Sequence, residues 1–408
     1  MTQTKALITG IGGFVGPYLA RTLLAHGYQV IGLIQEGVDS NPPPALDKDE
    51  FRSINLLPFD LAQQESVENV LKETLPDVIF HLAGYSSVRG SFLNPKDTYQ
   101  ANCRGMENLL EAVHKICPEA RFIFVGSSEE FGLQISSEEH YQWALKTYKS
   151  VFPKPERIPE LPVNENNPLR PLSPYAVSKV YGDFLSRTYW ASYRLNTIVS
   201  RAFNHEGAGR GAGYVTSSIN QQCIQMADGI IDQIVIGNVC AFRDWSHVED
   251  IVEGYRLLAE NGEVGQVYVL GSRRMNSVLA YLLFNLNEVG YSVQALETLN
   301  GEKRIEAPLK IDSHPFLGIN FLRPQVDSML LADGLTFTLE DGGLKLFTDR
   351  GEVKVVFDPD RYRPADIPFM ISDPAKAEAL GYRVKHTLQD IIRDQVRFYR
   401  QEHTSKPA

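Results

Sequence analysis

The stretch Ser173-Pro174-Tyr175-Ala176-Val177-Ser178-Lys179 places a phenol and an ammonium group four residues apart. Ser173 suits an N-cap and Pro174 suits the first helical position, so we predict that a helix begins here. Residues four apart share one face of a helix, and Lys179 can then favour the ionised form of Tyr175. Such a tyrosine accepts a proton near neutral pH. The spacing is also common on helix surfaces that have no chemical role, and motifs elsewhere must decide between the two interpretations.

A glycine-rich turn near the start of the chain lies between a predicted strand, Lys5 to Thr9, and a predicted helix, Pro17 to His26. In a dinucleotide-binding turn the glycines permit a tight turn, a close approach of backbone to pyrophosphate, and close packing of helix on strand. The pyrophosphate then meets the helix N-terminus. This context predicts an NAD(P) site, with contacts from Gly10, Gly13, Phe14, Val15 and Gly16.

Further cofactor contacts are expected where later strands end. The second predicted strand is followed by Gln35 and Glu36 and not by an arginine. An acid at this place binds the ribose hydroxyls of NAD, whereas an arginine accommodates the 2′-phosphate of NADP. Glu36 pointing inward would favour NAD, while Glu36 in a solvated loop would favour neither. The predicted contacts are Gln35, Asp60, Leu61, Leu82, Ala83, Gly84 and Asn102, together with Tyr175 and Lys179.

Apolar strands alternate with helical patterns through the first half of the chain, which predicts an α/β fold with a Rossmann-like doubly wound parallel sheet. We assign this NAD(P)-binding domain to residues 1–204. Residues 205–408 are predicted to form a smaller, mixed α/β substrate domain, with the chain partly interwoven between the two.

Two segments interrupt this pattern. An insertion at about 134–160 is interpreted as a surface decoration or a lid, with a helix that begins near Ser136 and has Glu139 in a capping box. An extra β-rich segment lies at about 296–352 and has alternating apolar residues. Together with the alternating residues at 353–357, it predicts an antiparallel meander. Its strands are expected at 335–340, 344–348 and 353–357.

Composition excludes several classes of protein. The 408 residues carry a formal net charge of −10, which argues against a general nucleic-acid or membrane-surface binder. No apolar stretch reaches the about 18 residues that a membrane helix needs, and no secretory signal is apparent. The four cysteines form no Cys-x-x-Cys pair, so we expect buried thiols, no metal site and a cytoplasmic protein.

Three motifs in register resemble the extended short-chain dehydrogenase/reductase family: Thr9-Gly10-x-x-Gly13-x-x-Gly16, Ser127 with Glu129, and Tyr175-x-x-x-Lys179. The resemblance covers about residues 5–270 and 357–400. It implies an NAD(P)-dependent enzyme that remodels a nucleotide-diphosphate sugar, and a homodimer or homotetramer. It also implies that Tyr175, Lys179, Ser127 and Glu129 are catalytic.

Stretches after Phe203 resemble the GDP-mannose 4,6-dehydratases of this family, which implies that activity. Other stretches resemble GDP-4-keto-6-deoxyhexose reductases, so a reductase and a 4-epimerase or decarboxylase remain alternatives. The chain departs from the dehydratase pattern at Gln35-Glu36 and at Ser127, where threonine is usual. The substrate contacts that the resemblance implies are Ser87, Ser127, Ser128, Glu129, Asn204, Arg210, Val215, Arg243, Arg363 and Asp366.

Three arginines of the second half have alternative interpretations. Arg323 and Arg363 both begin an arginine-proline pair with a following acid, and only Arg363 is followed in register by the rest of the family pattern. We therefore assign Arg363 to the diphosphate. Arg243 is assigned there too, with a salt bridge to Asp244 or Asp250 as the alternative.

Overall fold

A computed structural model describes residues 3–35, 43, 45–332, 334–363 and 365–405. The chain divides into two compact units. The first unit comprises Met1–His205, Val248–Gly271 and Ser372–Lys385, and the second comprises Glu206–His247, Ser272–Ile371 and His386–Ala408. The predicted boundary at residue 204 lies one residue before the end of the first segment, and the chain then returns to the first unit twice.

The regular elements are numbered in chain order. The strands are β1 Lys5–Thr9, β2 Gln29–Ile34, β3 Asn55–Pro58, β4 Val78–His81, β5 Arg121–Val125, β6 Thr197–Ala202, β7 Asn204–Glu206, β8 Gln233–Ile236, β9 Phe242–Arg243, β10 Trp245–His247, β11 Val267–Leu270, β12 Asn276–Ser277, β13 Val293–Thr298, β14 Arg304–Glu306, β15 Ile311–Asp312, β16 Arg323–Pro324, β17 Gly343–Thr348 and β18 Gly351–Phe357. The helices are α1 Val15–Ala25, α2 Lys48–Arg52, α3 Gln64–Thr74, α4 Val88–Leu93, α5 Pro95–Tyr99, α6 Gly105–Ile116, α7 Glu138–Tyr148, α8 Pro174–Tyr193, α9 Val215–Ala227, α10 Val248–Asn261, α11 Val278–Glu288, α12 Gln325–Ala332, α13 Ala375–Glu378 and α14 Leu388–Ser405. None of the helices in the described residues has both the length and the apolar character that a bilayer span requires.

The first unit is built on a parallel sheet with strand order β11-β6-β5-β4-β1-β2-β3. Its central strands are buried on both faces because α1 and α10 contribute apolar side chains to one core cluster, and α3 and α6 to another. The chain order reverses between β1 and β4, which is where ligands meet sheets of this kind. The predicted Rossmann-like fold is confirmed.

The second unit contains a mixed sheet with strand order β14-β13-β17-β18-β8, in which only the β18–β8 pair is parallel. Side chains from α9, α11 and α14 share a buried apolar cluster with this sheet. The segment at 296–352 supplies β14 and β17, and Leu344 and Leu346 of β17 are fully buried. It is therefore part of the core of the second unit.

The predicted strand at 335–340 is wrong. Thr338 caps a 3₁₀ turn, Leu339–Asp341, in which the Thr338 amide donates to the Asp341 carboxylate at 2.8 Å. Gly342 then reverses the chain with φ of +69°. These local hydrogen bonds compete successfully with strand pairing, and β13 takes the place beside β17.

The insertion at 134–160 forms α7 over a small apolar cluster of Leu133, Ile135, Ala144 and Val151. The predicted cap at Ser136 is wrong, because Ser137 has the extended backbone of an N-cap and its hydroxyl accepts from the His140 amide at 3.1 Å. Two adjacent serines made the boundary ambiguous by one residue.

A buried ion pair ties the insertion to the chain that follows it. Arg170 donates to both carboxylate oxygens of Glu160, at 2.6 and 2.9 Å, and its remaining donors meet the carbonyls of Pro153 and Leu133. Glu160 also accepts from the Ile135 amide at 2.8 Å. Both side chains are under 5% exposed, so loss of either partner would leave an unpaired buried charge.

We therefore expect Arg170→Met to lower the free energy of unfolding by about 3–5 kcal/mol, because the buried Glu160 carboxylate loses its cation. Urea unfolding followed by circular dichroism would measure this loss. Arg52→Met, which removes an exposed helical ion pair to Asp49, is the matched control and should leave the unfolding midpoint unchanged. An equal loss in the two variants would contradict a stabilising role for the buried pair.

Candidate active site

The glycine-rich turn follows β1 and is shaped by close backbone contacts. Gly10 has φ of +74°, and a Cβ there would lie 2.9 Å from the backbone of Ala83. The Gly13 amide donates to the Gly10 carbonyl at 3.0 Å, which closes the turn. A Cβ on Gly16 would lie 2.5 Å from the backbone of Ile11. The turn therefore depends on Gly10 and Gly16, as expected for a turn that brings main chain against a ligand.

The N-terminus of α1 emerges from this turn. Phe14 is at the cap position and Val15 begins the helix, and among the described residues no side-chain hydrogen bond caps the first amides. A helix N-terminus with uncapped amides is a site for a negatively charged group. The turn and α1 together fit the pyrophosphate of a nicotinamide dinucleotide.

The ends of β1 and β4 are joined by a buried polar link. The Thr9 hydroxyl accepts from the Ala83 amide at 3.0 Å and lies 2.9 Å from Nδ1 of His81. Burial, together with the positive charge of the nearby Lys179, lowers the pKa of His81 to about 3. His81 is consequently neutral and serves as a structural hydrogen-bond partner that fixes Ala83 beside the glycine-rich turn.

The other predicted cofactor residues lie at the carboxyl edge of the sheet or just beyond it. Gln35 is exposed directly after β2, and Glu36 lies outside the described residues. Asp60 follows β3 and its carboxylate accepts from the Ala62 amide at 2.9 Å. The Leu61 carbonyl accepts from Asn108 at 2.9 Å. Leu82 is half-buried after β4.

Asn102 connects the end of β4 to α8. It lies in a π-helical turn, Gln100–Arg104, and its amide group bonds to the Tyr85 amide at 2.7 Å, the Tyr85 carbonyl at 3.0 Å and the Ser178 hydroxyl at 2.8 Å. A Cβ on Gly84 would lie 2.6 Å from Oδ1 of Asn102. A π turn interrupts a helix and is frequent at functional sites, and here it directs Asn102 toward α8.

The predicted start of α8 is confirmed. The Ser173 hydroxyl accepts from the Ala176 amide at 3.0 Å, and Pro174 is the first helical residue. Tyr175 and Lys179 are both buried, one turn apart, and Nζ of Lys179 is 6.0 Å from the Tyr175 ring centre. Helix spacing therefore places the phenol and the ammonium on the same face of α8.

Lys179 is held against the end of β5. Its ammonium group donates to the Val125 carbonyl at 2.8 Å. Burial is the main cause of a pKa of about 8 for Lys179, and without the opposing negative charge of Glu130 the pKa would be lower still. Lys179 is therefore a cation at neutral pH that loses its proton more readily than a solvated lysine.

Ser127 and Glu129 lie two and four residues beyond β5, on a 3₁₀ turn that spans Ser128–Glu130. The Ser127 hydroxyl accepts from the Glu129 amide at 3.2 Å. Ser127 and Ser128 are buried and Glu129 is half-buried. Ser87, another predicted contact, caps α4 by accepting from the Gly90 amide at 2.9 Å.

Three charged residues behind this turn were not assigned a role from sequence. Glu130 and Asp183 are fully buried, and Arg201 is nearly so. Two signals could have found them: Asp183 follows Lys179 by one helical turn, and Arg201 interrupts the otherwise uncharged strand β6. A charge inside a buried strand needs a partner of opposite charge, and the sequence pattern does not identify that partner.

In the second unit, Asp366 gathers two predicted phosphate-binding arginines. Arg243 donates to its carboxylate at 2.7 Å, Arg363 lies 3.9 Å away, and Asn238 donates to it at 3.0 Å. Burial raises the pKa of Asp366, but the positive charges of Arg243 and Arg363 lower it by more. The net shift of the pKa is therefore downward. Arg243 therefore pairs with Asp366, an acid that is neither of the sequence alternatives, Asp244 and Asp250.

The remaining predicted substrate residues are distributed over other elements. Arg210 stacks on Tyr214 at 3.6 Å from the ring centre, and its Nε is 3.6 Å from Glu206. Val215 begins α9 and is partly exposed. Asn204 begins β7. Arg323, which was set aside from sequence, pairs with Asp312 at 2.7 Å.

Comparison with known proteins shows similarity over nearly the whole chain. GDP-mannose 4,6-dehydratase of Vibrio cholerae is 27% identical over 406 residues, which covers 97% of this chain and 93% of that protein. GDP-mannose 4,6 dehydratase of Homo sapiens is 26% identical over 97% of this chain and 91% of its own length. The structure of RMD from Pseudomonas aeruginosa complexed with NADPH has a TM-score of 0.65 at 22% identity, covering 98% of this chain and 100% of that one.

A family model matches residues 6–271, which contain the glycine-rich turn, Ser127 with Glu129, and Tyr175 with Lys179. The match spans more than half of the chain, and it confirms the class of enzyme that the three motifs predicted. The chain belongs to the NAD dependent epimerase/dehydratase family.

Proposed function

We propose that the protein is a nucleotide-sugar 4,6-dehydratase that converts GDP-mannose to GDP-4-keto-6-deoxymannose. The observation that carries the proposal is the placement of Glu129 beside Ser127, with the Glu129 amide bonded to the Ser127 hydroxyl. A carboxylate at this position would give the site a second proton-transfer group, for which a simple reductase has no obligatory task. The dehydratase relatives, at about a quarter identity over most of their length, support the same choice.

The first half of the proposed reaction oxidises carbon 4 of the sugar. Tyr175 takes the proton of the carbon 4 hydroxyl, and Ser127 donates a hydrogen bond to that oxygen as it becomes a ketone. Lys179 stabilises the ionised phenol through its positive charge. A bound nicotinamide would accept a hydride from carbon 4 and later return it to carbon 6.

The second half eliminates water. A ketone at carbon 4 makes the hydrogen on carbon 5 acidic, and Glu129 removes it as a proton. Glu129 then gives a proton to the hydroxyl that leaves carbon 6, and the released product is water. After the hydride has been returned to carbon 6, Tyr175 donates its proton to carbon 5. The balance is one water lost and no net oxidation.

We propose that Arg243 and Arg363 bind the diphosphate of the substrate. An arginine fork matches a pair of phosphate oxygens, and a side chain already fixed by a carboxylate loses less entropy when it binds. Asp366 supplies that fixation for Arg243. The other contacts carried over from the family, at Ser87, Ser128, Asn204, Arg210 and Val215, belong to the same proposal.

For the cofactor we propose NAD over NADP, because Gln35 stands at the end of β2 where a 2′-phosphate would need an arginine. The dehydratase resemblance argues in the other direction. We also propose a homodimer or homotetramer, by analogy with the family.

Purified protein incubated with GDP-mannose and no added reductant should release a product lighter by one water, as measured by mass spectrometry. In deuterated water the product should gain one deuterium at carbon 5, because Glu129 and Tyr175 exchange their protons with solvent. A product of unchanged mass and altered configuration would indicate an epimerase. Reduction of a 4-keto sugar with no reaction of GDP-mannose would replace the proposal with a reductase.

Glu129→Gln should lower kcat by about 100-fold or more, because an amide cannot act as the base at carbon 5. Carbon 4 oxidation should survive, so reduced nicotinamide absorbance would accumulate when substrate is added. NAD affinity should stay unchanged. Glu65→Gln, an acid in the first turn of α3, is the matched control with wild-type turnover. Wild-type elimination by Glu129→Gln would show that another group is the base.

NAD should bind more tightly than NADP in a calorimetric titration, because the end of β2 offers Gln35 and no cation for a 2′-phosphate. Gln35→Arg should narrow or reverse this difference while leaving the affinity for NAD almost unchanged. Tighter binding of NADP to the unaltered protein would show that another residue supplies the cation.

A further inference from the structure

Glu130 lies directly behind the turn that carries Ser127 and is fully buried. Its Oε1 accepts from the Ser127 amide at 2.7 Å, as part of a capping box in which the Ser127 hydroxyl bonds to the turn. A Cβ on Gly126 would lie 2.3 Å from the same oxygen. The carboxyl group of Glu130 therefore fills the space beside Gly126 and fixes the main chain that leads from β5 to Ser127.

Charged groups reach Glu130 from two other elements. From β6, Nε of Arg201 is 3.4 Å from Oε2 of Glu130. From α8 come Lys179 and Asp183, one turn apart, and Asp183 accepts from Arg201 at 2.8 and 2.9 Å. On its far side Asp183 also accepts from Arg187 at 2.6 Å. Glu130 is thus the carboxyl group that lies between the Ser127 main chain and the charged face of α8.

We propose that Glu130 is a positioning residue of the reaction proposed above, on which this inference rests: it holds the Ser127 main chain and keeps Lys179 positively charged. The first task needs an acceptor and the second needs a negative charge. A leucine would fill similar volume but would leave the buried Ser127 amide without its acceptor. A glutamine would keep an acceptor and lose the charge, so the two tasks can be separated.

The charge effect has a definite sign. Burial and the negative charge of Asp183 together raise the pKa of Glu130 to about 8, although Arg201 offsets part of this shift. Burial brings the pKa of Lys179 down to about 8 even though the negative charge of Glu130 opposes that shift. When Glu130 is neutral and Lys179 is charged, loss of the Glu130 proton leaves an anion beside a cation. Loss of the Lys179 proton instead leaves two neutral groups. Arg201 favours the Glu130 anion and Asp183 opposes it, and once Glu130 is ionised its negative charge keeps the proton on Lys179 to higher pH.

The test compares Glu130→Gln and Glu130→Leu with Glu160→Gln. Glu160 is a matched control because it too is buried, accepts from a backbone amide and contacts a buried arginine, Arg170. In Glu130→Gln the alkaline limb of the kcat profile should move down by about one pH unit. In Glu130→Leu, kcat at neutral pH should fall by about 100-fold, because Ser127 is displaced, while NAD affinity is retained. Glu160→Gln should keep the wild-type limb and turnover.

A second measurement does not depend on any substrate. The amine of Lys179 is titrated by nuclear magnetic resonance in cofactor-free protein with isotopically labelled lysine, and its signal is assigned by its absence in Lys179→Arg. Lys179 should lose its proton at lower pH in Glu130→Gln than in the wild type or in Glu160→Gln. An unchanged Lys179 titration overturns the charge role whether or not GDP-mannose is dehydrated. Wild-type turnover in Glu130→Leu overturns the role in holding Ser127, and a wild-type protein inactive on GDP-mannose refutes only the dehydratase proposal.

Discussion

The hydrogen bond from Lys179 to the Val125 carbonyl is the interaction on which the arrangement of the candidate site depends. It joins α8 to the carboxyl end of β5, so it fixes Tyr175 one turn away on the helix and Ser127 two residues away along the chain. A buried ammonium is costly unless it is paired, and this one has a carbonyl, two aromatic faces and the charge of Glu130 around it. The buried position that makes the ammonium group costly to desolvate also places it one helical turn from Tyr175.

Close approaches of the main chain bring the other parts of the first unit to the same sheet edge. Gly10 lies against Ala83, Gly84 lies against Asn102, and Gly126 lies against Glu130. Each contact leaves no room for a Cβ: the first joins two strand ends at backbone distance, and the other two pack a buried polar side chain against the main chain at a strand end. Side chains then connect these strand ends to α8, through Asn102 to Ser178 and through Lys179 to β5. The sheet edge and α8 are therefore joined by side-chain hydrogen bonds as well as by close packing.

The sequence was sufficient to predict what depends on local pattern. The helix start at Ser173, the glycine-rich turn and the parallel sheet all have signals within a few residues, and the structure agrees with them. It was not sufficient where partners are distant along the chain. Asp366 lies more than a hundred residues after Arg243, and Asp183 and Arg201 meet Glu130 from separate elements, so no spacing rule connects them. The strand predicted at 335–340 failed for the opposite reason, because local capping at Thr338 overruled an alternating pattern.

The chain is acidic overall, and the proposed substrate is an anion. The two are compatible because carboxylates hold particular arginine side chains in position. Asp366 orients Arg243, and Asp183 orients Arg201, so each arginine is paired with a carboxylate in the folded chain. A pair of this kind leaves other guanidinium donors and much of the positive field available, while the desolvation of the cation is already compensated. The two pairs differ in what remains. Arg201 is enclosed between Glu130 and Asp183 and is nearly fully buried. Arg243 has Arg363 beside the same carboxylate, which leaves an excess of one positive charge suited to a diphosphate.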